Sequence, residues 1–353
     1  MAYAAITKPS LHFNTKLYTG NASTQAITGV GFQPDLVWIK NRSTTNSHVW
    51  TDAVRGTSST IYSNSTDAQD SSATNVGSFD SDGFTLGSNG GTNGNGNSVV
   101  SWNWKANGQG SSNTDGSTNT TYTSVNSTAG FSISTYAGSG SAATIGHGLG
   151  AAPEVIIIKS TTHAENWVMY HKSLNASGAG TYVYFTTAAP GGSGSNTSIF
   201  NNTAPTSSVF TVNTDGVSNG SGKSYVAYCF KEKKGFSKFG IYTGNGNDNG
   251  SFIYTGFKPA FVITKQTNGG NHWHIHDNKR NPFNVVDTQL KVDSSAADET
   301  PAGGENSRDF LSNGFKFRDS DHNNSNGSTY IYLAFAEEPL VANVGSGIPA
   351  TAR

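Results

Sequence analysis

The sequence predicts an all-β protein of three tandem β-sandwich or jelly-roll-like modules, with a short N-terminal arm and a C-terminal tail. Three observations predict it. A short apolar segment occurs three times, as Pro34-Asp35-Leu36-Val37-Trp38-Ile39-Lys40, Pro153-Glu154-Val155-Ile156-Ile157-Ile158-Lys159 and Pro259-Ala260-Phe261-Val262-Ile263-Thr264-Lys265. No helix-length apolar pattern lies between the copies. The polar positions are filled by Gly, Ser, Thr and Asn, and only 13% of residues are charged, about half the share of an average soluble protein.

The repeated segment is the core strand. A Pro at a strand's first position forfeits no ladder hydrogen bond. A run of Val, Ile, Phe and Trp apolar at consecutive positions suits a central strand covered on both faces. The 353 residues agree with two or three domains.

Residues 1–16 read as a polar arm, in which Lys8, Pro9, Leu11 and Phe13 are placed to attach to a neighbouring surface. The first module, 17–106, opens on Leu17-Tyr18-Thr19-Gly20-Asn21 and passes through the core strand to Trp50. Phe79-Asp80-Ser81-Asp82-Gly83-Phe84 is two short strands about a turn that tolerates positive φ, and Ser98–Trp104 closes the module. Residues 107–129 lack apolar periodicity and read as a linker. The second module, 130–234, repeats the opening strand as Ser134-Thr135-Tyr136-Ala137-Gly138 and ends on Tyr225-Val226-Ala227-Tyr228. The third, 235–338, opens on Gly240-Ile241-Tyr242-Thr243-Gly244-Asn245. It places Trp273 eight residues after Lys265, as the second places Trp167 eight after Lys159, while the first places Trp50 ten after Lys40. Residues 339–353 read as a tail unlikely to fold alone. A hydrophobic fraction of 34% predicts three modest cores in place of one large one.

The formal net charge is −1 and no basic face is visible, so binding to nucleic acid lacks its electrostatic driver. No stretch has the length of a membrane span, and Met1–Pro9 lacks the apolar core of a secretory leader. The single cysteine, Cys229, lies in a strand-like run and reads as an inert buried thiol.

Chemistry-bearing residues are sparse. His272, His274 and His276 alternate with Trp273 and Ile275, so on a strand the imidazoles share one face. They are the candidate metal ligands, against the competing reading of a solvated polar face. Asp80/Asp82 and Asp319/Asp321 alternate as cation ligands would, but no complete calcium loop is present, and solvated turns fit better. No pair of Glu residues is arranged as glycosidase carboxylates. Tyr62, Tyr122, Tyr182 and Tyr184 lie near polar loops, where aromatic faces stack on sugars or fill interfaces, and Tyr62, Tyr182 and Tyr184 are the candidate binding residues. Core packing is the competing reading for each.

The stretch Ile6-Thr7-Lys8-Pro9-Ser10, the run from Leu17 to Asn21 and the run from Thr28 to Arg42 resemble an uncharacterised module of virion proteins from marine tailed bacteriophages, labelled tail fibre or structural proteins. Asp277-Asn278-Lys279-Arg280-Asn281-Pro282-Phe283-Asn284 and Ala334-Phe335-Ala336-Glu337-Glu338-Pro339-Leu340 resemble it too, and the second module departs most. The resemblance implies a virion component and supplies no catalytic residues. The expectation is therefore a non-enzymatic structural protein on the virion surface, made in the host bacterial cytoplasm. It would be a tail fibre or adhesin subunit, without cofactor, associating with other virion proteins and with itself, a trimer being the usual fibre state. A host-surface glycan is the expected ligand. The alternatives are a capsid decoration or head-fibre protein, and a glycan-binding or glycan-degrading β-sandwich.

Overall fold

The computed structural model describes residues 4–71, 74–175, 179–191 and 197–340. The fold is all-β. The first third contains β1 (Phe13–Thr19), β2 (Gln25–Thr28), β3 (Leu36–Asn41), β4 (Val49–Asp52), β5 (Thr60–Tyr62), β6 (Val76–Asp80), β7 (Gly83–Leu86) and β8 (Ser98–Trp104). They form a large sheet of order β1-β8-β3-β4-β5 and a small one of order β2-β7-β6. The second contains β9 (Tyr122–Asn126), β10 (Phe131–Ala137), β11 (Ala143–Gly146), β12 (Val155–Ser160), β13 (Val168–His171), β14 (Tyr182–Tyr184), β15 (Val209–Val212) and β16 (Ser224–Phe230). Its sheets are β14-β13-β12-β16-β10-β9 and β11-β15. The last contains β17 (Ser237–Thr243), β18 (Phe252–Tyr254), β19 (Phe257–Gln266), β20 (His274–Asp277), β21 (Leu290–Lys291), β22 (Arg308–Leu311), β23 (Gly314–Phe317) and β24 (Thr329–Pro339). Its sheets are β17-β24-β19-β20-β21 and β18-β23-β22.

The recurring strands β3, β12 and β19 sit in the middle of their sheets, buried on both faces. The two faces enter different cores. Val37 and Ile39 pack between the two sheets of the first sandwich, Ile156 and Ile158 do so in the second, and Val262 in the third. The alternate residues Leu36, Trp38, Val155, Ile157, Phe261 and Ile263 face outward from their own sandwiches, into one core common to all three. All six tryptophans lie there. Trp104, Phe230 and Phe335 hold the same place in their sheets; Phe335 meets Trp104 at 5.6 Å and Phe230 at 5.9 Å between ring centroids. The expectation of three separate cores is thus corrected. The apolar fraction suffices because each large sheet is used on both faces.

Hydrogen bonds run cyclically from each sandwich to the next. The Trp167 indole donates to Tyr62 O at 3.0 Å, and the Trp273 indole to Tyr184 O at 3.0 Å. His48 Nε2 lies 2.9 Å from Lys291 O. Gln69 N–H donates to Thr161 O, Gly191 N–H to Thr267 O and Asp298 N–H to Arg42 O. Contacts that pass head to tail and return to their origin form a closed ring. Here one chain supplies all three members.

The repeated lysines now have a cause. Lys40, Lys159 and Lys265 are fully buried. Lys159 Nζ reaches Thr66 O of the first sandwich, and Lys265 Nζ reaches Ala188 O of the second; Lys40 Nζ donates to Asn41 O. The Tyr-x-Gly repeat is equally physical. Tyr18, Tyr136 and Tyr242 hydroxyls donate to Thr92 O, Ser218 O and Asn323 O. Two residues on, a Cβ at Gly20, Gly138 or Gly244 would come within 2.3, 2.2 and 2.4 Å of a backbone oxygen, so only glycine fits.

Two boundaries differ from expectation. The arm is built into the body: Ile6 and Phe13 are buried in the common core, and Ala5 N–H donates to Lys234 O. Residues 107–129 are no free linker, because they carry β9, which pairs with β10. The expected tail beyond Leu340 lies outside the described residues.

Candidate functional site

The three sandwiches differ in chemistry at β20. Its pairing places His274 opposite Thr264 and His276 opposite Val262. In the first sandwich the same register positions hold Val49 and Thr51, and in the second Val168 and Tyr170. Trp273 and Ile275 turn into the common core. With a period of two, His274 and His276 therefore enter the gap between the two sheets of the third sandwich. His272 stays at the rim, with Nδ1 2.9 Å from an Asp293 carboxylate oxygen.

The small sheet answers with further polar groups. Arg308 on β22 is fully buried, its guanidinium lying 4.9 Å from the centre of the Phe317 ring. Its Nε and Nη1 have no hydrogen-bond partner, and neither have Nδ1 of His274 or both ring nitrogens of His276. Burial, then the charge of Arg308, holds both imidazoles well below their ordinary range, so they are neutral at pH 7. Burial pushes the Asp319 carboxyl up to about 7, against the pull of Arg308, and neither oxygen makes a hydrogen bond of good geometry. Asn323 bridges the sheets, accepting from Thr264 Oγ1 at 2.8 Å and donating to Asn306 Oδ1.

A cavity of about 520 Å³ opens beside this cluster, lined by His272, His274, Gln289, Glu305, Asn306 and His322 among others. That volume lies in the range of small-molecule sites. The lining mixes amides, carboxylates and imidazoles, with Lys291 neutralised by Glu299 at 2.7 Å. Many donors and acceptors without one dominant charge suit a hydroxylated ligand better than a strongly charged one.

The expected sites fall differently. The solvated-face alternative for the His strand is corrected, because His274 and His276 are buried. His272, His274 and His276 are divided between rim and interior. Among the described residues, no group of three or more His, Cys, Asp or Glu is placed to hold a metal ion. Tyr62 is half-buried, its hydroxyl donating to Asp70 Oδ2 at 3.3 Å. Tyr182 and Tyr184 are half-buried against the second sandwich core, 5.2 Å apart, and Tyr122 packs partly on the common core. None of these is an exposed platform. Among the described residues, the exposed Phe and Tyr side chains are Phe252, Tyr254 and Phe283.

Of the arm residues, Lys8 and Leu11 face outward. Pro9 is buried, and Phe13 stacks on Phe335 at 5.2 Å, so neither is free to reach a neighbouring surface. Asp82 closes a turn: its carboxylate accepts from the N–H groups of Gly29 and Gly31, which hold it below the ordinary range. Cys229 is fully buried, and burial pushes its thiol far up, as an inert residue requires.

The family described as a domain of unknown function (DUF7483) matches residues 8–339, nearly the whole chain. No curated protein and no solved structure matches it.

Proposed function

We propose that this chain, which belongs to the DUF7483 family, is a non-catalytic structural protein of the tailed-phage virion surface. It works as an attachment subunit, and the polar site of its third sandwich recognises a host-surface sugar. One observation carries the reading: within a ring whose members share their register, the third sandwich places His274 and His276 where the first has Val49 and Thr51 and the second Val168 and Tyr170, and it buries the Arg308 charge beside them. Burying an arginine without full pairing costs several kcal/mol. Such a cost is retained where a site needs it. The ring supplies the rigid support that a recognition site requires.

The test is adsorption blocking. Soluble protein at saturating dose is expected to reduce phage attachment to host cells. A His274→Val, His276→Thr double variant, carrying the residues of the first sandwich, is expected to lose that effect with its fold intact. Equal blocking by the variant refutes the site, and no blocking by the parent refutes attachment.

The pseudo-threefold ring favours a second reading, a capsid decoration protein. A body with three near-equal faces can make three near-equal contacts on a local threefold axis. Immunogold labelling separates the two, since label on the head excludes the fibre.

A further inference from the structure

The segment expected as a linker shows what the open side of a sandwich accepts. In the second sandwich, β9 lies along the edge of the large sheet, and Thr121 N–H donates to Thr135 O at 2.7 Å. The same segment then crosses to the small sheet. Thr118 N–H donates to Thr144 O at 3.1 Å, and Ser117 Oγ accepts from Thr144 N–H at 2.9 Å. One extended stretch therefore closes both edges of the sandwich.

The third sandwich has the same two edges without such a cover among the described residues. The register is fixed by the repeated lysines: Lys159 opposes Val226, which opposes Thr135, and Lys265 opposes Ile331, which opposes Ile241. Ile241 thus stands where Thr135 stands. On the small sheet, Ile145 opposes Phe210 and Ile253 opposes Phe315, so Phe252 stands where Thr144 stands. β17 and β18 are outer strands of their sheets. Phe239 N–H turns away from β24 to a Glu232 carboxylate at 2.7 Å. By the alternation of an antiparallel ladder, the Ile241 peptide groups turn the same way.

The side chains at this edge are apolar and open. Ile241 is 45% exposed, Phe252 45% and Tyr254 59%. In the first sandwich the matching residues are Leu17, half-buried, and Ala26, which offers little surface. Exposed Ile, Phe and Tyr on the outer strands of two facing sheets are side chains that proteins ordinarily keep off such edges. Left unblunted, such an edge is a seat for strand addition.

We propose that the β17–β18 side of the third sandwich binds an extended segment of another polypeptide, which adds to both edges as residues 117–126 do in the second sandwich. The incoming strand is rich in β-formers and carries apolar side chains against Ile241, Phe252 and Tyr254. It comes from a different protein, because in a second copy the segment of matching shape is already engaged on its own second sandwich.

The probe is a synthetic peptide of residues 115–126, and the readout is amide hydrogen exchange of the full chain. At ten times its Kd the peptide is expected to slow exchange at Ile241 and Phe252 by about tenfold. Ile241→Pro, tolerated on an edge strand and itself without an amide hydrogen, is expected to abolish the protection read at Phe252. Ile241→Lys, which keeps the backbone donor, is expected to weaken it. Unchanged exchange at both positions in saturating peptide overturns the proposal, as does protection that persists in Ile241→Pro. Concentration-dependent protection without peptide assigns the edge to a second copy and overturns it too. Protection that appears only in a chain ending at Leu340 assigns the edge to this chain's own tail, with the same consequence.

Discussion

The buried lysines make the chain more stable as the solution becomes alkaline, against ordinary expectation. Lys40, Lys159 and Lys265 are each pulled from 10.5 to about 8, with burial the largest cause. Between those values the unfolded chain holds a proton on each lysine and the folded chain does not, so stability rises with pH across the window. Each lysine charged in the folded state below pH 8 costs about 3 kcal/mol relative to water, at about 1.36 kcal/mol per pH unit. Acting together, the three give a slope of up to about 4 kcal/mol per pH unit. The window closes near pH 10, where Tyr18, Tyr136, Tyr228 and Tyr242, held protonated by burial in the folded state, begin to ionise when unfolded. Guanidinium denaturation at pH 7.5, 8.5 and 9.5 reads the slope directly. Lys159→Met should remove about a third of it. A flat or falling midpoint across these three values refutes the assignment.

Other consequences are as specific. Trp273→Ala removes a buried indole and its bond to Tyr184 O, and should cost about 3–5 kcal/mol. Because the core is common, calorimetry should still show one transition, whereas a separate early melt of the third sandwich would contradict the ring. Light scattering should report a monomer near 37.0 kDa, since the threefold contacts are satisfied within the chain. Gly83→Ala puts a Cβ 1.9 Å from Ile27 O, and Gly314→Ala puts one 2.1 Å from Ile253 O. Both should destabilise clearly, while Gly90→Ala, which meets nothing within 4 Å, should not. His274→Val with His276→Thr should raise the unfolding free energy by about 1–3 kcal/mol, read from the shift in denaturation midpoint, by removing unsatisfied buried imidazole nitrogens.

Much of the fold was legible because the repeat is written in strand-forming residues at a fixed place. The proline, apolar run and closing lysine located all three central strands. The Tyr-x-Gly repeat located the opening strands, but the asparagines that answer it, Asn93, Asn219 and Asn324, were not visible. Each caps the turn after its glycine by accepting from the N–H of Asn21, Ser139 or Asn245, about eighty residues away in sequence. The tryptophan alignment slipped by one pair of residues. Trp167 and Trp273 correspond to His48, which makes the matching bond to the neighbouring sandwich, and Trp50 corresponds to Met169 and Ile275. A slip of two leaves every side chain on its face, so the pattern raised no alarm. The common core was hidden for a related reason. A strand apolar on both sides tells that both are covered, and says nothing about what covers them. The polar site in the third sandwich was half visible: the His alternation was plain, while Arg308 and Asp319 join it only through tertiary pairing.

The closed ring also sets a schedule for synthesis. Trp38, Trp102 and Trp104 leave the ribosome early, yet Phe261 and Phe335, which pack on them, arrive only with the last third of the chain. At about 5–20 residues per second, that leaves an unsealed indole-rich wall for some tens of seconds. A nascent chain in that condition exposes apolar surface that invites chaperone capture until its last third arrives.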